Sequence, residues 1–146
     1  MKGAGRLDVV IVSATLQDTD TLIGSAPDSY AVLCVRSGEK RESTASPGSE
    51  RDNCYCRTPK VEDNNSPQWE HSCDPIDVNK FNQSSTVLTF EAYDQEVIAD
   101  DEFIAGNDIT VQEVIENGNN GKPFDLELFG PYSATFTLNI TWTPVK

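Results

Sequence analysis

Hydrophobic and polar positions alternate most plainly near the end of the chain. There Ala134, Phe136, Leu138, Ile140 and Trp142 interleave with Thr135, Thr137, Asn139, Thr141 and Thr143. A period of two, with one apolar and one threonine-rich face, marks a half-buried antiparallel strand. Trp142 falls on the apolar face and reads as core. Shorter β-branched or aromatic runs at 6–14, 30–35, 54–61, 68–73 (resuming at 76–78), 87–93, 103–109 and 124–129 predict seven further strands. Clusters of Asn, Asp, Ser, Gly and Pro separate them, as at 62–67. One stretch, 111–117, fits one or two helical turns instead: Thr110 is placed to cap it, Glu113 completes a capping box, and Gly118 stops it. Eight short strands with turn signals between them predict an all-β, eight-stranded antiparallel sandwich. A length of 146 residues allows one domain with a real core, read here as 1–146 with its core at about 6–144.

The pattern changes character between the fifth and sixth predicted strands. Five acids, Asp94, Glu96, Asp100, Asp101 and Glu102, fall within nine residues with no base among them. The apolar triplet Val97-Ile98-Ala99 sits in their middle. Carboxylates so close repel unless protonated or bridged by a cation. Hard oxygen ligands on a flexible loop suit calcium, which takes six to eight oxygens in tolerant geometry. A plain solvated acidic loop is the other reading, and it gives no reason for Val97-Ile98 at the centre. The first long loop repeats the chemistry, with Asp18, Asp20 and Asp28 around Leu22-Ile23-Gly24. It is not an EF-hand, because Leu22 and Ile23 occupy the fifth and sixth positions, where that loop needs a ligand and a glycine.

Charge sharpens this reading. The net charge is -13, and residues 61–146 carry the surplus, with three basic and sixteen acidic side chains against eight and eight in 1–60. A nucleic-acid partner is not expected, since phosphate contacts need clustered Lys and Arg. Binding to an anionic membrane without a cation is not expected either. Arg36, Lys40, Arg41, Arg51, Arg57 and Lys60 could form a basic patch, but Glu39, Glu42, Glu50 and Asp52 interrupt it, which reads as a solvated surface. Cys34, Cys54, Cys56 and Cys73 fit no zinc ribbon or finger. With no apolar signal core at 1–6 they are expected to be free thiols. The sequons at Asn82 and Asn139 would then be unused. His71 is alone, with no nucleophile–base pairing around it, so no catalytic function is expected.

Three motifs in order resemble one family. The first is Ala14-x-Leu16, Asp20, Gly24 and Pro27-Asp28-Ser29-Tyr30. The second is Arg57-Thr58-x-Lys60-Val61 followed by Asn65-Ser66-Pro67-Gln68-Trp69-Glu70. The third is Tyr93-Asp94-x-Glu96 through Asp101-Glu102-Phe103-Ile104. Together they resemble the C2 domain, a Greek-key β-sandwich that binds lipid in a calcium-dependent way, over about residues 6–144. The first strand leading directly into the first acidic loop, with a strong extra strand at the end, resembles the circularly permuted, type II variant found in short single-domain members. The resemblance implies calcium ligands at Asp20, Asp28, Asp94, Glu96 and Glu102. Asp18, Asp100 and Asp101 are substitutes one or two residues out of register. Departures are an Asp20–Asp28 gap two residues longer than usual, Glu at two third-loop positions, a residue added before Gly106, and an insertion at 37–53.

The same resemblance implies a cofactor, calcium, and a partner, an anionic phospholipid membrane. Leu22, Ile23, Val97 and Ile98 would enter the headgroup region, giving a cytoplasmic protein that attaches peripherally when calcium is bound. There are two rivals: a calcium-independent protein-interaction module on the same fold, and a secreted, disulfide-bonded and glycosylated β-sandwich of the kind found in pore-forming or adhesive proteins.

Overall fold

The computed structural model describes residues 2–19, 26–41, 54–82, 85–96 and 101–145. They form two antiparallel sheets packed face to face. The chain runs β1 (Lys2–Leu16), β2 (Ser29–Ser37), β3 (Cys56–Arg57), β4 (Gln68–Ser72), β5 (Ile76–Asn82), β6 (Thr86–Asp94), β7 (Glu102–Thr110), α1 (Val111–Glu116), β8 (Pro123–Leu128) and β9 (Ala134–Pro144). One sheet has the order β4-β1-β9-β8, with β5 also on β1; the other has the order β3-β2-β6-β7. The strand count exceeds the expected eight because the fourth breaks at Cys73-Asp74-Pro75. Both pieces stay on one edge of β1, β4 beside Val10–Ser13 and β5 beside Lys2–Leu7.

The long central pair β1–β9 explains most of the first sheet. On β9 the expected alternation is realised, with Ala134, Phe136, Leu138, Ile140 and Trp142 buried. On β1 the buried positions change parity, Leu7, Val9 and Ile11 first and then Ala14 and Leu16. A register shift between Ile11 and Ser13 accounts for the change, because an extra residue in one strand flips every later side chain to the other face. The helix is capped as its sequence predicts: Thr110 Oγ1 accepts from Glu113 N, and the Glu113 carboxylate accepts from Thr110 N at 3.1 Å.

The second sheet is buried on both faces. Ala31, Leu33, Leu88, Phe90, Ala92 and Ile104 face the sandwich core. On the outer face Tyr30, Val32, Tyr93 and Phe103 form a second cluster, with Cys34 and Cys54 against it. Beside that cluster, two of the basic residues read as a solvated surface pair instead with a buried acid. Arg36 and Arg41 both bind Asp108, each with a shortest approach of 2.9 Å, and the Asp108 side chain is 0% exposed. Lys40 pairs with Glu113 and Lys60 with Glu62. Arg51 lies outside the described residues.

The cysteines correct the sequence reading. They are not free thiols: Cys34 is bonded to Cys54 and Cys56 to Cys73. The third strand is also shorter than the expected 54–61, with only Cys56 and Arg57 in the ladder. The disulfides supply what the ladder lacks. Cys56–Cys73 lies in the core and ties β3, in one sheet, to the end of β4 in the other.

Candidate functional site

One end of the sandwich gathers the acidic loops. The first loop leaves β1 at Leu16 and rejoins the fold at Ser29. The turn at 62–67 reaches the same place through Leu16 N, which donates to Asn65 O at 2.7 Å. Ser29, Asp94 and Glu102 stand side by side at the ends of β2, β6 and β7. Thus antiparallel pairing alone brings the first and third acidic loops together.

The acids are held by named donors. Asp94 accepts from Asp28 N at 3.0 Å and from the Thr19 hydroxyl. Asp28 accepts from Asp63 N at 2.7 Å, and its own carbonyl accepts from Gln95 N at 2.9 Å. Asp101 accepts from the Tyr30 hydroxyl and from Glu96 N. Asp18 accepts from Asn65 Nδ2 at 2.9 Å. Asp63 is in the left-handed region at φ 47, a conformation non-glycine residues seldom take, and it aims its N–H at Asp28.

Two groups carry unrelieved charge or polarity. Glu102 Oε1 is buried with no hydrogen-bond partner among the described residues. The Glu96 carboxyl is pushed up, first by loss of hydration and then by the negative charges of Asp94, Glu102, Asp101 and Asp28. The loops therefore form one electrostatic cluster. Among the described residues no three of His, Cys, Asp or Glu are grouped as a ready metal site.

Of the residues expected to form the site, Asp28, Asp94, Glu96 and Glu102 come together at this end. Asp20, Leu22, Ile23, Val97 and Ile98, with the substitute Asp100, lie outside the described residues. Sequence reasoning missed the framework of Thr19, Tyr30, Asp63 and Asn65. Tyr30 and Asn65 had a signal, as the aromatic closing Pro27-Asp28-Ser29-Tyr30 and the first residue of Asn65-Ser66-Pro67-Gln68-Trp69-Glu70.

A family model for the C2 domain matches residues 5–126. The chain belongs to the C2 domain family. Solved C2 domains superpose on it throughout. The first of the C2 domains, domain A, of a plant Extended Synaptotagmin 1 has a TM-score of 0.66 at 19% identity, covering 97% of this chain and 96% of that one. The calcium-bound pair of C2 domains, A and B, of Extended-Synaptotagmin 2 gives 0.69 at 19% identity, covering 96% of this chain and 46% of that one. Human GIVD cytosolic phospholipase A2, in complex with methyl gamma-linolenyl fluorophosphonate inhibitor and terbium chloride, gives 0.67 at 20% identity, covering 100% of this chain and 18% of that one. At these identities the likeness is one of fold, and the chain spans less than half of the second structure and under a fifth of the third. No curated protein matches the sequence. Among the described residues no helix of this C2 domain is long and apolar enough to cross a membrane.

Proposed function

We propose that this C2 domain is a calcium-dependent phospholipid-binding module that attaches reversibly to anionic membranes. The observation that carries the reading is the buried Glu102 Oε1, which has no hydrogen-bond partner among the described residues, inside a cluster where loss of hydration and then the neighbouring charges raise Glu96. A buried carboxylate without a donor is costly unless a cation completes it. The donor set is all hard oxygen, which suits calcium rather than a soft metal. Asp28, Asp94, Glu96 and Glu102 would hold the ion together with Asp20. Calcium, when bound, supplies positive charge and coordination positions for phosphate oxygens. The chain supplies the rest: Thr19, Asp63 and Gln95 hold the carboxylate loops in place, and Leu22, Ile23, Val97 and Ile98 would bury side chains among the headgroups. Each fully buried apolar side chain contributes roughly 1.5–3 kcal/mol, so partial insertion of four gives weak, reversible attachment.

Co-sedimentation with phosphatidylserine–phosphatidylcholine vesicles tests this. Binding in calcium and release in chelator is the expected result. Equal pelleting in calcium and chelator, or a flat calorimetric trace at millimolar calcium, would refute it. The two disulfides favour a second reading of where the module works, since such bonds persist in oxidising compartments and are rare in a reducing cytosol. The mass of protein isolated from its source, before and after deglycosylation, distinguishes the two settings.

A further inference from the structure

The Cys34–Cys54 disulfide and the third acidic loop open onto the same cleft. It has a volume of about 490 Å3 and is lined by Cys54, Arg57, Tyr30 and Asp101 among others. We propose that this disulfide is a redox-sensitive clamp, reduced before Cys56–Cys73, whose opening loosens the acidic loop.

Access separates the two bonds. One cysteine of each bond, Cys54 and Cys56, lines the cleft, but Cys56 and Cys73 are 8% and 7% exposed and lie in the core, whereas Cys34 and Cys54 are only half-buried. Disulfide exchange needs a thiolate to reach a sulfur.

Opening the clamp has a defined path outward. Besides the disulfide, the segment at 54–58 holds to β2 through backbone and side-chain bonds: Tyr55 N donates to Leu33 O, Thr58 N donates to Ala31 O, and Ala31 N donates to Thr58 Oγ1, each at 2.9 Å. This segment lays the Arg57 guanidinium 3.9 Å over the Tyr30 ring. Tyr30 stacks on Tyr93 with centroids 5.6 Å apart. Its hydroxyl donates to Asp101, which also accepts from Glu96 N at 3.1 Å. Tyr30 is therefore the positioning residue through which the state of the clamp reaches the acidic loop. Cys56–Cys73 keeps the sheets tied, so the change is local.

The chemistry balances with a dithiol reductant. One reductant thiolate attacks a sulfur of the pair, and the S–S bond breaks to give a mixed disulfide. The second reductant thiol resolves it. Cys34 and Cys54 end as two thiols, having gained two electrons and two protons, and the reductant leaves as its own disulfide.

The test is a dithiothreitol titration of the whole chain, followed by alkylation mass spectrometry and amide exchange at Gln95 and Glu96. Cys34 and Cys54 should alkylate first, and exchange at Glu96 should rise about tenfold while core amides stay protected. Oxidised Tyr30→Phe, with both disulfides intact, should show the same faster exchange, and reducing it should add little. Simultaneous loss of both disulfides on global unfolding would overturn the proposal. So would unchanged Glu96 exchange in the reduced, folded protein, or an equal increase on reducing Tyr30→Phe. A calcium titration of both redox forms adds an arm that rests on the calcium reading above, with affinity expected to fall about threefold on reduction. If oxidised protein takes up no calcium, that reading fails while amide exchange still decides the clamp.

Discussion

Replacing Asp108 by Asn tests the ion pair on the outer face of the second sheet. The carboxylate accepts from Arg36 Nη2 at 2.9 Å, from Arg41 N, Nε and Nη2 at 3.0, 3.1 and 2.9 Å, and from Thr89 Oγ1 at 2.8 Å. Burial alone would push its carboxyl up, but the bonds from Arg41 and Thr89 win and hold it down to about 2. Against an ordinary value of 3.8, that depression corresponds to about 2–3 kcal/mol of folding stability at neutral pH. Asn removes this and turns a donor toward two guanidinium groups. Those are 36% and 26% exposed, so water partly relieves them, and the loss should be about 2–4 kcal/mol, at or below the range for breaking a buried pair. Urea unfolding of both proteins at several pH values measures it. Because the folded value lies below the unfolded one, the stabilisation is present above about pH 4 and disappears as pH falls toward 2. The gap between wild type and Asp108→Asn should therefore narrow over that window. A gap below about 1 kcal/mol at pH 7, or one that stays constant to pH 2.5, would show that the pair is not held as described.

Other consequences are equally direct. Millimolar calcium should raise the melting temperature, since it binds only the folded state; Asp94→Asn should abolish most of that shift in differential scanning calorimetry, and Asp8→Asn, paired outward with Arg6, should not. Glu96→Gln should raise the melting temperature in chelator by removing a repelled charge, yet weaken calcium uptake by calorimetry; a variant weaker in both conditions contradicts the cluster. Leu138→Ala, fully buried on β9, should cost about 2–5 kcal/mol in urea unfolding. Ile98→Ala should cost roughly 0.5 kcal/mol or less and still reduce vesicle co-sedimentation in calcium. Gly130→Ala should lower the melting temperature, because a Cβ there would lie 2.6 Å from Ile104 O.

Much of the sandwich was legible because each element had a local cause. The period of two on β9 and the Thr110–Glu113 box need only neighbours in sequence. The cysteine pairs have no such cause. Cys34 meets Cys54, and Cys56 meets Cys73, only after the strands assemble, and nothing in their spacing along the chain shows it. The bulge in β1 was hidden because Val9-Val10-Ile11-Val12, which runs into it, is β-branched on both parities. Thr89, Glu91 and Asp108 are polar yet buried, with Tyr93 bonded to Glu91 and two arginines from far away in sequence bonded to Asp108. At the acidic end the clustering was readable from spacing. The donors that hold it, Asp63 and Asn65 above all, come from a turn whose place is set by tertiary contacts.

The pairing of β1 with β9 has a mechanical meaning. Gly5 stands opposite Pro144 and Leu16 opposite Ala134, so the chain enters and leaves the sandwich side by side, at the end away from the acidic loops. Tension applied through both would not shear the ladder as a block. It would peel β1 from β9 one residue pair at a time, beginning where Val145 N donates to Ala4 O. A load drawn through either flank alone, against acidic loops anchored as proposed above, would instead pull along the long axis of the pair.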